Sequence, residues 1–199
     1  MHELSLAKPG APVVAKVVAK EEDASLVKAA RRDPAAFAAL YRRYVTPIYR
    51  YLYSRVGHAA DAEDLTAQVF TEALEGLSRY REGGSFAAWL FTIARHKAAD
   101  HHRRQRPYVT LSEALDRPDE DEDPLARVVR NEALRRLAAL VAQLDEEQQE
   151  LLRLRFAGGL TYGEMGALTG RSEAAVKMAM HRLLRRLEAE WEEGNEQAS

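Results

Sequence analysis

The sequence predicts an all-α protein made of two small helical domains joined by an acidic, flexible linker. Apolar residues recur at helical spacing in long stretches on either side of a proline-interrupted acidic segment. Helix start and stop signals bracket those stretches, and no strand-like alternation of useful length occurs anywhere. With 199 residues and 46% apolar content the chain can bury a sizeable core in one or two domains.

Residues 1–23 contain Pro9, Gly10 and Pro12 without helical periodicity and read as a tail. The first domain is expected over 24–106. Asp33-Pro34 pairs an N-cap residue with proline at the first helical position. Phe37, Leu40, Tyr41, Tyr44, Ile48, Tyr51, Leu52 and Val56 then form an apolar stripe, with a kink expected at Pro47 and a stop at Gly57. In "DAEDLTAQVFTEALEGL" Asp61 is the candidate cap, three acids crowd the first turn, and Leu65, Val69, Phe70, Ala73, Leu74 and Leu77 make the inward stripe. Ser85 can cap a third helix that turns Phe86, Trp89, Leu90, Ile93 and Ala94 inward before running into a basic stretch.

Periodicity fades over 107–127, where Pro107, Pro118 and Pro124 interrupt an acidic run, and this segment reads as the linker. A second domain is expected over 128–192, followed by a short tail at 193–199. Within it Asp145 with Gln148, and Thr161 with Glu164, have the spacing of capping boxes, and Gly158-Gly159 separates the two helices they start.

Cysteine is absent, which removes disulfides, thiol nucleophiles and cysteine-ligated zinc, and fits a reducing intracellular setting. The apolar run "APVVAKVVAK" is too short and too broken by lysine for a signal peptide or membrane span, so no membrane insertion is expected. The formal net charge of -2 argues against a nucleic-acid partner until its distribution is considered. In "RHKAADHHRRQR" five Arg or Lys stand against one Asp, whereas in "EALDRPDEDED" seven carboxylates stand against one Arg. Local fields of this kind, rather than the sum, decide what binds.

The stretch "LTYGEMGALTGRSEAAVKMAMHRLL" has the requirements of a helix-turn-helix: a small residue at the helix crossing (Gly166), a turn residue with backbone freedom (Gly170) and an apolar anchor (Val176). Leu160, Met165, Leu168, Val176, Met180 and Leu183 can form its core, leaving Arg171, Lys177, Met178, His181 and Arg182 outside, with Ser172 as N-cap of the second helix. An ordinary helical hairpin with a basic edge would share these features, but a second basic helix upstream favours two contacts on one DNA.

Together, "DAEDLTAQVFTEAL", "SFAAWLFTIARHKAADHHRRQR" and "LDEEQQELLRLRFAGGLTYGEMGALTGRSEAAVKMAMHRLLRRL" resemble the extracytoplasmic-function (ECF) group of bacterial RNA polymerase sigma factors, over about residues 25–106 and 128–190. The resemblance implies a cytoplasmic initiation factor without catalysis, cofactor or metal, whose partners are core RNA polymerase (the beta-prime clamp and beta flap), promoter DNA and an anti-sigma factor. It places polymerase binding on Asp61, Glu63, Asp64, Leu65 and Gln68. It places minus-ten binding and strand opening on Tyr80, Phe86, Arg95, His96, Lys97, Arg103 and Arg104, which supply cations for phosphates and a stacking face for a base. It places minus-thirty-five recognition on Arg171, Ser172, Glu173, Lys177, Met178, His181 and Arg182. His96 and Met178 depart from the residues common in the family, Asn and a small polar residue. The resemblance also implies that the acidic linker threads toward the polymerase active centre, though a solubilising spacer would look the same.

Two rival readings arise from the same residues. His96 and Asp100, at i and i+4, with His101 and His102 suggest a metal-dependent nuclease, but no nucleophile or base accompanies them and arginines crowd the site. An autonomous helix-turn-helix regulator on duplex operator DNA explains the C-terminal half and leaves the acidic helix and the upstream basic helix without a purpose.

Overall fold

The computed structural model describes residues 23–81, 84–104 and 124–196, with side chains over 132–194 in the last stretch. The expected N-terminal tail to residue 22, the linker over 107–123 and residues 197–199 lie outside it. The described residues are helical, without a strand. The helices are α1 (23–30), α2 (Pro34–Val56), α3 (Ala59–Gly76), α4 (Phe86–Arg104), α5 (Pro124–Ala142), α6 (Glu146–Leu152), α7 (Tyr162–Thr169) and α8 (Glu173–Glu196). A 3-10 turn (Leu77–Arg79) follows α3, and a π turn (Arg153–Ala157) follows α6. Helix α5 begins at Pro124, so the last four residues of the expected linker are helical, and α8 continues into the expected C-terminal tail.

Local signals set most helix ends. Asp33 accepts from the Ala35 N–H at 2.8 Å, ahead of Pro34, and Gly57 ends α2 at φ 68°. Asp33→Ala is expected to cost about 1 kcal/mol, read as a lower denaturation midpoint with unchanged helix content. Helix α2 continues across Pro47 without a break. Helix α3 starts at Ala59 behind His58, which makes no side-chain cap, so Asp61 lies inside the first turn rather than capping it and is the only acid there. Ser85 accepts from Ala88 N–H at 3.3 Å, and Asp145 from Gln148 N–H at 2.8 Å. The Thr161/Glu164 capping box is complete in both directions.

Helices α2, α3 and α4 form one packed unit, with Leu40, Ile48, Tyr51, Leu52, Leu90 and Phe91 fully buried. Two residues of the expected inward stripes come out: Tyr41, whose ring meets Phe70 edge-on, is 42% exposed and Leu74 is 53% exposed. Trp89 is half-buried, lying against Gly76 and the rings of Tyr80 and Phe86. Helices α5 to α8 form a second unit in which Val176 and Met180 are fully buried, Leu183 is buried and Leu168 is half-buried. The two units are not separate: α4 packs on α7, α2 packs on the π turn, and a single apolar cluster runs from Leu40 and Phe91 through Leu154 to Met180. This contact was not legible as periodicity, since the stripes of each helix show only that a partner exists.

Candidate nucleic-acid interface

Two turns shape the C-terminal element. Gly170 adopts φ 70° between α7 and α8, and Ser172 accepts from Ala175 N–H at 3.2 Å to start α8. Gly166 is buried at the crossing, where an added Cβ would lie 2.6 Å from the Arg171 carbonyl oxygen. At about 100° per residue, the buried Val176, Met180, Leu183 and Leu187 fall on one side of α8, and Lys177, Met178, His181 and Arg182 on the opposite arc, all exposed. Ser172 and Glu173 are exposed at the start of α8, and Arg171 is paired with Glu147 of α6. The seven residues expected to read DNA here thus share one end and one face of a short helical pair, and six of them are open to a groove.

The second basic surface is more divided. Along α4, His96, Arg103 and Arg104 are exposed, with Arg103 held by Asp100. Lys97 reaches Glu72 of α3 at 2.8 Å, and Arg95 lies 3.2 Å from Glu150 of α6. Tyr80 is half-buried, its hydroxyl donating to the Gly84 carbonyl at 3.1 Å and its own carbonyl accepting from Arg31 at 2.6 Å. Phe86 is 4% exposed, with ring contacts to Tyr44, Tyr80 and Trp89. It therefore has no free face for a base and instead backs the rings of Tyr80 and Trp89, a correction to its expected role. The period of α4 placed it inward, but only packing could show how completely Tyr44 and Tyr80 cover it.

On α3 the expected acidic surface also sorts by exposure. Glu63, Asp64 and Gln68 are exposed, Asp64 and Gln68 forming a ridge with Thr71 and Glu75 at i, i+4, i+7 and i+11. Asp61 is half-buried, 3.6 Å from both His58 and His101. Leu65 is 5% exposed and belongs to the core beneath the ridge, so the expectation that it offers a contact surface is corrected. The exposed Tyr41 and Leu74 flank Phe70 near this ridge, an apolar border that the sequence stripes had assigned to the interior. The histidine-rich run forms no metal cluster: among the described residues no group of three His, Cys, Asp or Glu side chains is arranged to hold an ion. No described helix is long and apolar enough to cross a membrane.

Residues 40–108 match the family Sigma-70 region 2, and residues 134–187 match Sigma-70, region 4. The chain belongs to the ECF group of RNA polymerase sigma factors. It is 39% identical over 155 residues to the ECF RNA polymerase sigma factor BldN of Streptomyces coelicolor, covering 76% of this chain and 59% of that one. It is 34% identical over 149 residues to the RNA polymerase sigma factor YlaC of Bacillus subtilis, covering 72% and 84%. The fold is similar to that of CnrH, solved in complex with the cytosolic domain of CnrY, with TM-score 0.61, 25% identity, and coverage of 84% of this chain and 96% of that one. Region 2 contains most of α2 with α3, the Tyr80 turn and α4; region 4 contains the helix-turn-helix. Its family is one of transcription initiation factors rather than known enzymes.

Proposed function

We propose that the chain acts in the bacterial cytoplasm as a dissociable, non-catalytic subunit that brings core RNA polymerase to a promoter and opens the DNA there. Residues 24–106 form the domain that meets the polymerase clamp and the minus-ten element, 107–127 link, and 128–192 form the reader of the minus-thirty-five element, which also meets the beta flap. The observation that carries this reading is the arrangement of α8, whose apolar side is sealed and whose Lys177, His181 and Arg182 side is open beyond a tight glycine crossing.

Asp64 and Gln68, with Glu63 and the exposed Leu74 and Tyr41 beside them, offer an acidic ridge with an apolar border, suited to a basic protein surface. Leu65 supports that ridge from beneath. At the minus-ten element His96, Arg103 and Arg104 attract phosphate, while Tyr80, held at both its hydroxyl and its carbonyl and backed by Phe86, presents an aromatic edge to an extruded base. Arg95 and Lys97 join them once released from Glu150 and Glu72. An anti-sigma factor is a further partner, supported by the likeness to CnrH, whose structure holds a cytosolic domain of CnrY.

Transcription reconstituted with bacterial core polymerase on a genomic promoter library tests the proposal. Initiation at a discrete promoter set is expected; no open complex on any promoter would overturn it. In the same assay Asp64→Arg is expected to lower core polymerase affinity at least tenfold, since it reverses a charge on the exposed ridge, while leaving the thermal midpoint nearly unchanged. An autonomous regulator would instead bind duplex operator tightly alone and be indifferent to Asp64→Arg.

A further inference from the structure

Helix α1 precedes the residues that match region 2, yet it is packed as firmly as they are. Val27 and Ala30, 1% and 7% exposed, belong to the apolar cluster of α2 to α4. Asp23, in the first turn of α1, is 7% exposed and accepts from Arg43 at 2.5 Å and from the Tyr44 hydroxyl. Burial, with the Asp23 carboxylate beside it, holds the Tyr44 phenol well above its ordinary pKa, so the hydroxyl keeps its proton and donates. A buried acid is costly unless paired, so these two donors fix the start of α1 to α2.

The other end of α1 is fixed as well. The Ala29 carbonyl accepts from the Arg32 and Asp33 N–H groups, both at 3.0 Å, and Asp33 in turn caps α2. Arg31 stands in this turn and donates to the Tyr80 carbonyl at 2.6 Å, across 49 positions of sequence. Tyr80 closes the 3-10 turn in extended backbone, where a carbonyl leaves the helical ladder and takes its partner from elsewhere. Its N–H still reaches back to the Gly76 carbonyl at 3.1 Å, and its hydroxyl reaches forward to Gly84. Two routes therefore run from α1 to the Tyr80 ring: Arg31 through the main chain, and Asp23 through Tyr44 and the edge of Phe86.

The Arg31 contact lies at the surface, where water would satisfy the same carbonyl, so it adds little to global stability. What it restricts is the orientation of the turn. We infer that α1 is a brace for the base-capturing turn and that Arg31 is its positioning residue, holding the Tyr80 main chain so that the ring meets an extruded base in one preset orientation. The role in capture rests on the proposed function of Tyr80, whereas the brace itself rests on the contacts of α1 alone. A turn that samples several orientations binds with an affinity reduced by the fraction in the competent one. Loss of the brace therefore weakens binding of the base and spares the phosphate contacts.

Arg31→Ala tests both parts, and because Arg31 is exposed its truncation removes no core packing. In the full chain, hydrogen exchange at the main-chain amides of residues 77–81 is expected to quicken on the order of tenfold, with the amides of α2 and α4 and the thermal midpoint unchanged. In holoenzyme assembled with core polymerase, the DNA is a promoter from the set found by reconstituted transcription, pre-opened over its minus-ten segment. Each non-template base of that segment is replaced in turn by an abasic site. One position is expected to cost the most affinity in the unsubstituted holoenzyme. With that base present, Arg31→Ala should lower affinity on the order of tenfold; with the abasic site there, both holoenzymes should bind alike, with the same salt dependence.

Unchanged exchange over 77–81 would overturn the brace. Equal losses on intact and abasic DNA would overturn the positioning role, a shallower salt dependence then marking Arg31 as a phosphate contact. Unchanged affinity on intact DNA would overturn it too, and would leave base capture at the turn standing. If no abasic position matters in the unsubstituted holoenzyme, or no promoter opens, base capture falls and the positioning role with it, while the exchange result still decides the brace.

Discussion

Lys177→Ala and Arg182→Ala are each expected to weaken recognition of the minus-thirty-five element by about 1–3 kcal/mol, or roughly 5- to 150-fold, the loss associated with one good bidentate base contact. Both side chains are exposed on the open arc of α8, so truncation removes neither core packing nor a cap. Thermal midpoints should therefore stay within about a degree or two, and competition between promoter variants should separate base reading from phosphate contact. A residue reading a base loses discrimination at one position, whereas a phosphate contact weakens all sequences alike and lowers the salt dependence. Unchanged promoter selectivity in both variants would place the face of α8 away from the groove. Met178, 55% exposed between them, has only apolar contact to offer, such as a thymine methyl, so Met178→Ala should affect a single base pair if it affects any.

Gly166→Val is expected to have the largest effect on the C-terminal unit. A Cβ there would meet the Arg171 carbonyl at 2.6 Å and the Glu173 N–H nitrogen at 3.3 Å, both backbone atoms that no rotamer change can move. Relief requires α7 and α8 to separate at the crossing, and overpacking of this kind costs about 1–3 kcal/mol or more. Any gain from replacing glycine inside a helix, at most about 1 kcal/mol, is too small to offset it. The expected result is a fall in thermal midpoint and loss of upstream recognition together, since the angle of α8 is what aims its reading face. Gly170→Asn is the control: φ is 70° there, a region asparagine tolerates, and nothing lies within 4 Å of an added Cβ. It should leave both properties nearly intact, and equal damage from the two substitutions would count against the crossing as the cause.

How much of this was legible depended on whether the cause was local. Asp33 with Pro34, Thr161 with Glu164, and the glycines at 57 and 170 act within one turn of chain, and each does what its spacing indicates. The exposed arc of α8 was legible because helical period alone separates Lys177 and Arg182 from Val176 and Met180. Leu65 and Phe86 were harder. Each sits in a sequence of functional-looking neighbours: Phe86, 4% exposed, is covered by Tyr80 nearby and by Tyr44 on another helix, and Leu65, 5% exposed, faces the helices packed against α3, partners that local sequence does not reveal. Leu74 and Tyr41 err the other way, since an apolar stripe wider than the available partner leaves its edge in solvent.

The sequence by itself determined an all-helical chain, its caps and turns, its helix-turn-helix and its membership of the sigma factors, because these follow from period, capping chemistry and motif order. Only the tertiary structure decided that the two units share one apolar cluster and that Glu150 faces Tyr51, Arg55 and Arg95. Those partners are separated from Glu150 by 99, 95 and 55 positions. A carboxylate on an amphipathic helix looks the same in sequence whether it meets water or a guanidinium, and only the packing of one unit on the other removes the water.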